Sequence, residues 1–335
     1  MMGRLLVGTL ALSLSLPVFA DEAVDWVVKM SEAARSGTYQ GVVVYRGNDM
    51  LETFRVAHRD QNGQELERVQ SLNGEPRDIL KQGNQVIRLL PRARRMMASR
   101  PPTPKGIFPQ LTAERIKLMT EIYRLADLGE ARIAGRTCRG VAVRPRDEFR
   151  YGYEMWADSQ TAVPLKVNLI GREGVVLEQM MFTEVEFPAS IPDSAFEMPK
   201  EDADRKLVSR SLPSPVEAPL PITSSNWALE RLPPGFKVMA REVRVLPDNR
   251  GTVEHLLISD GISAISVFSA QHSMPAPPPR PMSQIGAVHA YGRMVGTTRV
   301  TVVGEAPEET IRMIGDGLKP AENPPDQPAT TPAKP

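Results

Sequence analysis

The four histidines are the first residues whose side chains could define a chemical site. His58, His255, His272 and His289 lie far apart, and none belongs to an H-E-x-x-H pair or another metal-ligand spacing. No serine has the G-x-S-x-G setting of a nucleophile, and no phosphate- or dinucleotide-binding glycine motif occurs. A Ser/His/Asp triad is assembled in space, so the sequence does not exclude one. The prediction is a protein without catalytic activity, metal or other cofactor.

A basic, proline-rich segment at residues 91–106 indicates binding instead. Arginine guanidinium groups suit phosphates, and Met96 and Met97 would add an adaptable apolar contact, so the segment fits an amphiphile with an anionic head. A solvated basic loop without a ligand is the alternative interpretation, and a long loop is the expected structure in both cases. The candidate anionic-lipid contacts are Arg92, Arg94, Arg95 and Arg100.

These residues must be positioned by a β-rich stretch at 38–90. Short runs of β-branched and aromatic residues alternate there with Asn-Gly, Gly-Asn and similar turn signals, which is typical of an antiparallel meander. Apolar residues at helical spacing predict a helix over 21–35 and a second over 112–128, and strand signals resume from 131 to 187. The predicted fold class is α+β, with one large antiparallel sheet covered by helices.

The inner face of such a curled sheet can exceed what two helices cover. The uncovered part would then be a cavity for an apolar ligand, whereas a fully packed core is the other possibility. The pattern alone leaves this choice open. Candidates for either role are Val42, Val44, Phe54, Val56, Ile87, Leu89, Met180 and Phe182.

The N-terminus has the organisation of a secretory signal peptide. Arg4 precedes an apolar region at 5–16, and Val18-Phe19-Ala20 fits a cleavage site after Ala20. Beyond the signal at 1–20, composition divides the chain into a first domain at 21–198, a linker at 199–221, a β-rich second domain at 222–318 and a disordered tail at 319–335. Cys138 is the single cysteine, so no internal disulfide can form. The net charge of +1 gives no indication of a nucleic-acid partner.

Five sequence segments together resemble the MucB/RseB family. They are GTYQGVVVYRGNDMLETFRVAHR, YGYEMWADSQTAVPLKVNLIG, LPPGFKVMAREVR, HLLISDGISAISVFSA and GAVHAYGRMVGTTRVTVVGEAPEETI. The resemblance covers residues 21 to about 317, and its motifs are scattered but jointly specific.

That resemblance carries a set of expectations about fold and function. The first domain would be an unclosed β-barrel similar to the lipoprotein carriers LolA and LolB, and the smaller second domain would bind an anti-sigma factor. The protein would be a periplasmic negative regulator of the envelope-stress sigma factor. It would shield the periplasmic domain of a membrane-spanning anti-sigma factor from site-1 proteolysis and release it on sensing lipopolysaccharide or another lipid. The native lipid, the residues that contact the anti-sigma factor and a possible homodimer stay open.

Two other classes of function compete with this expectation. A periplasmic carrier of lipids or lipoproteins would follow from the first domain alone, although a carrier does not need an added partner-binding domain. A hydrolase of an envelope polymer would need a catalytic site that the sequence does not reveal.

Overall fold

The structure is a computed structural model that describes residues 18–47, 50–83, 85–90, 95–99, 116, 119–197, 220–222, 225–245, 252–271 and 281–321. Two antiparallel sheets form separate domains, one of eleven strands and one of seven. Helix α1 (Val18–Ser36) belongs to the first domain and helix α2 (Glu308–Asp316) to the second. The predicted class, a large unclosed antiparallel sheet with covering helices and a separate β-rich C-terminal domain, is confirmed.

The first sheet has the strand order β6-β5-β4-β3-β2-β1-β11-β10-β9-β8-β7, so two meanders meet at the pair β1·β11. In the described part of the chain β6 and β7 are its edges, and the barrel is therefore not closed. Its strands are β1 (Tyr39–Gly47), β2 (Met50–Gln61), β3 (Gln64–Ser71), β4 (Asp78–Gln82), β5 (Gln85–Leu90), β6 (Arg95–Ser99), β7 (Tyr123–Ile133), β8 (Arg136–Pro145), β9 (Gly152–Asp158), β10 (Pro164–Ile170) and β11 (Val176–Glu186).

The second sheet has the order β12-β14-β15-β16-β19-β18-β17, and α2 packs on one of its faces. A separate pair, β13·β20, lies beside it. The strands are β12 (Leu220–Pro221), β13 (Trp227–Leu229), β14 (Lys237–Val245), β15 (Thr252–Ser259), β16 (Ala264–Gln271), β17 (Ser283–Ile285), β18 (Val288–Val295), β19 (Thr298–Glu305) and β20 (Leu318–Pro320). Two residues of the predicted linker thus pair within this sheet, as β12, and β20 includes the first two of the predicted tail.

The predicted helix at 112–128 is wrong from Tyr123 onward, where the chain forms β7. Residues 112–115 lie outside the described chain, and Ile116 and Met119 are helical and buried as the spacing predicted. Ala134 and Gly135 both have positive φ, at 48° and 78°, which makes the tight turn that pairs β7 with β8 along its whole length. Gly129 lies at a bulge in β7 with φ 72°. Hairpin pairing therefore overrides the local helical spacing.

The predicted loop at 91–106 is also wrong in part. Arg95–Ser99 forms β6 and pairs with β5, where Met97 lies opposite Arg88. The remaining residues of this segment lie outside the described chain.

Candidate functional site

The inner face of the first sheet packs against α1. Ala23, Val27 and Met30 form the buried stripe of the helix, and all three are at most 4% exposed. Across the sheet, Val43 lies opposite Phe54 on β2 and Phe182 on β11. Because paired residues of an antiparallel sheet point to the same face, this register defines the inner face.

The predicted cavity residues divide between the two faces. Phe54, Val56, Met180 and Phe182 lie on the inner face, because Val56 pairs with Gly41 and Met180 pairs with Tyr45. Val42 and Val44 lie on the opposite face, where their partners on β2 are Arg55 and Thr53. Ile87 and Leu89 belong to β5, but their side chains lie outside the described residues. Arg92, Arg94 and Arg100 also lie outside them, as does the side chain of Arg95 at the start of β6.

The four inner-face residues belong to packed hydrophobic clusters. Phe182 is 1% exposed and Val56 is fully buried, in one cluster with Tyr39, Val43 and Leu165. Phe54 and Met180 are partly buried against the same cluster. At these positions the described residues fit a packed core better than the wall of an empty cavity.

An open cleft of about 670 Å³ lies elsewhere, at the C-terminal end of α1. Trp26, Lys29 and Phe187 line it together with the turn between β9 and β10, and its surface is polar and apolar in nearly equal parts. Asp158 holds that turn by accepting hydrogen bonds from the backbone N–H groups of Gln160 and Thr161. An acyl chain would find little continuous apolar surface here.

A buried polar cluster interrupts the apolar inner face. His58 is 1% exposed, stacks on Tyr39 with ring centres 4.6 Å apart, and donates from Nδ1 to the carbonyl oxygen of Gly37 at 2.7 Å. Its Nε2 lies 3.4 Å from Glu65, which also accepts from Lys81 Nζ at 2.6 Å. These contacts tie the end of α1 to strands β2, β3 and β4.

The net pKa shifts of the two glutamates in this cluster, Glu65 and Glu67, have opposite signs. Burial acts to raise the pKa of Glu65, but the hydrogen bonds from His58 and Lys81 outweigh it and the net pKa is lowered. For Glu67, desolvation by burial dominates over the opposing effect of His58 and Lys81, so its pKa is raised. The cluster therefore combines one stabilised carboxylate with one that burial favours in the neutral form.

The boundary between the two domains centres on Arg150. The side chains of Arg150 and Asp260 are both fully buried, and the guanidinium donates to Asp260 Oδ2 at 2.8 Å. Arg150 also donates to Asp147 and to the carbonyl oxygen of Pro234, and it lies over the ring of Phe236 at 4.8 Å. The cation from the first domain is thus held by groups of the second.

Asp260 accepts hydrogen bonds from three further donors besides Arg150. Tyr123 of the first domain donates its hydroxyl to Oδ2 at 3.0 Å, and the backbone N–H groups of Ile262 and Ser263 donate to Oδ1. Burial, followed by the negative charge of Asp260, raises the pKa of Tyr123 well above its usual value. The tyrosine therefore stays a neutral donor at physiological pH.

Further contacts extend this boundary along the ends of β9, β10 and β11. Tyr153 donates to Glu305 at 3.0 Å, and the backbone N–H of Ala287 donates to Glu178 at 3.2 Å. Ala287 also packs in one buried cluster with Tyr151 and Leu169 of the first domain. We call this boundary, with Arg150–Asp260 at its centre, the domain seam.

Sequence reasoning missed the seam. Asp260 and Arg150 are not among the candidate site residues that the sequence predicts. The two residues are 110 positions apart, and nothing in the local patterns pairs them. The sequence contains only a weak signal for the seam. The run RDEFRY at 146–151 joins two strands and is highly charged, although the connection itself does not require so many charged residues.

Other functional classes find no support in the described residues. Among them no three His, Cys, Asp or Glu side chains are grouped so as to hold a metal ion. None of the helices in the part of the chain that the structure covers is long and apolar enough to cross a membrane. Burial, followed by the charge of Asp158, raises the pKa of the Cys138 thiol to about 11, which disfavours the reactive thiolate.

Comparison with known proteins places the chain in a family. The family model of the MucB/RseB N-terminal domain matches residues 22–200, and that of the MucB/RseB C-terminal domain matches residues 221–319. A curated relative, the sigma factor AlgU regulatory protein MucB of Pseudomonas aeruginosa, is 29% identical over 307 residues, which cover 90% of this chain and 92% of the relative. Two solved structures, MucB in complex with MucA(peri) and the Pseudomonas aeruginosa MucA/MucB complex, each align with a TM-score of 0.69 and 26% identity over 90% of this chain and all of theirs. The chain belongs to the MucB/RseB family.

Proposed function

We propose that this chain is a periplasmic negative regulator of an envelope-stress sigma factor. It binds the periplasmic domain of a membrane-spanning anti-sigma factor, protects it from site-1 proteolysis, and releases it when lipopolysaccharide or another lipid binds. The observation that carries the proposal is the match of both family domains, in order, together with the relatives solved in complex with MucA. The relatives named as regulatory proteins support a binding role rather than catalysis.

Export to the periplasm rests on the N-terminal segment. Cleavage after Ala20 would remove the first three residues of α1 and leave Asp21 and Glu22 at the new helix start. Negative side chains at a helix N-terminus are favourable because of the helix dipole. Ala23, a buried residue of the helix, would stay in the mature protein.

Release by lipid follows from linkage between two binding sites. If lipid and anti-sigma factor favour different arrangements of the two domains, each weakens the affinity of the other by the same factor. Couplings of about 1–3 kcal/mol, the usual range, would produce roughly 5- to 150-fold release. The proline-rich linker at 199–221 would act as a semi-rigid connection between the domains.

Protection of the anti-sigma segment is the direct test of this function. Purified chain 21–335 is titrated with Pseudomonas aeruginosa MucA(peri), and cleavage of MucA(peri) by a site-1 protease is then followed with and without lipopolysaccharide. The expected result is tight binding, slowed cleavage, and recovery of cleavage on adding lipopolysaccharide. A chain that binds lipoproteins but neither binds nor protects MucA(peri) would instead be a carrier.

Removal of the second domain should weaken the anti-sigma interaction. A chain that ends at residue 212 keeps the eleven-stranded sheet but lacks every strand of the seven-stranded one, and we expect its affinity for MucA(peri) to fall at least about tenfold. Isothermal titration calorimetry measures the affinity, and circular dichroism verifies that the fragment folds. Full affinity of a folded fragment would contradict the assignment of this contact to the second domain.

Replacing Arg92, Arg94 and Arg95 together by alanine should weaken binding of anionic lipid and leave the fold intact. Loss of three guanidinium contacts to phosphate would lower affinity by roughly tenfold or more. Vesicle co-sedimentation with anionic and with zwitterionic lipid separates the charge effect from apolar contact. A folded triple variant with the lipid affinity of the wild type would show that this segment is only solvated.

A further inference from the structure

One end of strands β2 and β3 exposes large apolar side chains, although turns at strand ends are normally polar. Met50 and Leu51, which begin β2, are 49% and 63% exposed. Leu72, which follows β3 directly, is 46% exposed. Because β2 and β3 are antiparallel neighbours, the start of one and the end of the other lie at the same end of the sheet. We call Met50, Leu51 and Leu72 the apolar tip.

The opposite end of the same two strands is polar. The turn there consists of Gln61, Asn62, Gly63 and Gln64, and all four residues are exposed. Both ends lie in solvent within one sheet, so the folding of the hairpins does not explain why one of them is apolar. Single exposed apolar residues are ordinary, whereas a contiguous group marks a contact with a protein or a membrane.

Hydrogen bonds hold the apolar tip on one fixed surface. The backbone N–H of Leu72 donates to the carbonyl oxygen of Thr53 at 2.7 Å, which continues the pairing of β2 with β3. Asn73 accepts from the backbone N–H of Thr53 at 2.6 Å and donates to the carbonyl oxygen of Leu51 at 3.0 Å. Leu51 and Leu72 therefore lie on the same face of the sheet, because Thr53 is two residues from Leu51 and opposite Leu72. A surface that is already ordered loses little conformational entropy on contact.

Charged groups of both signs lie beside the apolar tip. Arg46, the cross-strand partner of Leu51, is exposed, and so is Glu75 in the turn after β3. Arg77 of the same turn pairs with Glu52. A zwitterionic lipid headgroup carries a phosphate, which suits a guanidinium group, and an ammonium group, which suits a carboxylate. The charges around the tip thus match a zwitterionic lipid surface better than a strongly acidic or basic partner.

We propose that the apolar tip attaches the protein reversibly to the surface of a lipid bilayer. Met50, Leu51 and Leu72 enter the outer part of the acyl region, and Arg46 and Glu75 lie at the level of the headgroups. Three side chains give only weak attachment, since even a single myristoyl chain binds membranes with an association constant of about 10⁴ M⁻¹. The bilayer is here a surface to which the chain attaches, which is distinct from a lipid that releases the anti-sigma factor. The inference does not rest on the function proposed above.

The test uses vesicles without net charge, so that the basic segment at 91–106 has no anionic surface to bind. Chain 21–335 is co-sedimented with dioleoylphosphatidylcholine vesicles, as wild type and as the double variant Leu51→Gln/Leu72→Gln. The control is Met239→Gln, which changes a 58% exposed methionine on β14 of the second domain. We expect the apparent affinity for vesicles to fall at least about fivefold in the double variant and to change less than about twofold in the control. Circular dichroism verifies that each variant folds.

A fluorescent label shows which end of the sheet enters the bilayer. Cys138 is fully buried, so a thiol-reactive NBD dye labels an introduced cysteine selectively. The label is placed at the tip with Leu51→Cys or at the polar end with Gln64→Cys. We expect vesicles to shift the emission of the label to the blue at position 51 and to leave it unchanged at position 64.

Several outcomes would overturn the attachment. Wild-type chain that does not sediment with zwitterionic vesicles, or a folded double variant that sediments equally well, would show that the tip is not the contact. Sedimentation with anionic vesicles alone would assign the contact to the basic segment. If the double variant loses a wild-type dimer or MucA(peri) binding while vesicle binding stays the same, a protein covers the tip. Because the vesicle experiments contain no MucA(peri), their failure leaves the proposed function standing, and failure of MucA(peri) binding leaves the attachment standing.

Discussion

Replacing Arg150 by methionine is expected to lower the free energy of unfolding by about 3–5 kcal/mol. Methionine reproduces the unbranched aliphatic part of the arginine side chain but leaves the carboxylate of Asp260 buried without its cation. Asp260 would keep the donors from Tyr123, Ile262 and Ser263, yet its charge would be uncompensated in a site with no solvent exposure. Urea unfolding followed by circular dichroism measures the change.

The exposed ion pair at the same domain boundary provides the control. Arg172 lies 2.9 Å from Glu309, but the two side chains are 49% and 54% exposed. Solvent screens such pairs, so Arg172→Met should cost less than about 1 kcal/mol. If Arg150→Met costs no more than Arg172→Met, the buried pair does not hold the domains together.

A double-mutant cycle measures the interaction energy between Arg150 and Asp260 separately from their contacts with other residues. Asp260→Asn keeps the shape of the side chain and removes its charge, so the combined variant with Arg150→Met no longer buries the Asp260 carboxylate without its cation. We expect the two losses to be far from additive, because Arg150→Met alone leaves that carboxylate charged, whereas Arg150 in Asp260→Asn keeps its pair with Asp147. Additive losses would mean that the two side chains act independently. In the single variants the two sheets should also unfold less cooperatively, since the seam is their shared contact.

The sequence was informative where local rules decide the structure. Residues 85–90 form one strand of the meander predicted at 38–90, and Asn62-Gly63, one of its Asn-Gly signals, makes the turn between β2 and β3, with φ values of 56° and 80°. Tight turns of this kind require residues that tolerate positive φ, so Asn-Gly determines the hairpin almost alone. The fold class followed from the repetition of such signals.

Predictions from local sequence patterns were wrong where residues distant in the sequence determine the structure. The segment from Ile116 to Ala126 has apolar residues at helical spacing, but from Tyr123 the chain pairs with β8 instead. The seam is a stronger case, because the burial of Arg150 depends on a carboxylate and a ring from another domain. The sequence of β1 shows that its side chains alternate between two faces, but not which face is the inner one. The predicted set of cavity residues therefore combines Val42 and Val44, on the outer face, with residues of the inner face.

The stability cost of truncating Phe182 shows whether the inner face is packed or hollow at the pair β1·β11. In the structure this ring is 1% exposed, and it meets Tyr39 edge to face at 6.2 Å. A Cβ at Gly41 would lie 3.1 Å from the Phe182 ring and 2.1 Å from the carbonyl oxygen of Glu184, so the glycine leaves room for both. We expect Phe182→Ala to lower the free energy of unfolding by about 3–5 kcal/mol, the usual cost of a large cavity in a packed core.

Val44→Ala is the comparison on the outer face of the same strand pair. Val44 is partly exposed and lies opposite Met181, one residue before Phe182, so its truncation should cost less than about 1 kcal/mol. Both variants are measured by urea unfolding of lipid-free protein, with Phe182→Leu as a smaller change at the same site. If Phe182→Ala costs as little as Val44→Ala, the ring borders an empty space. The inner face would then be available to a lipid chain, as the cavity hypothesis requires.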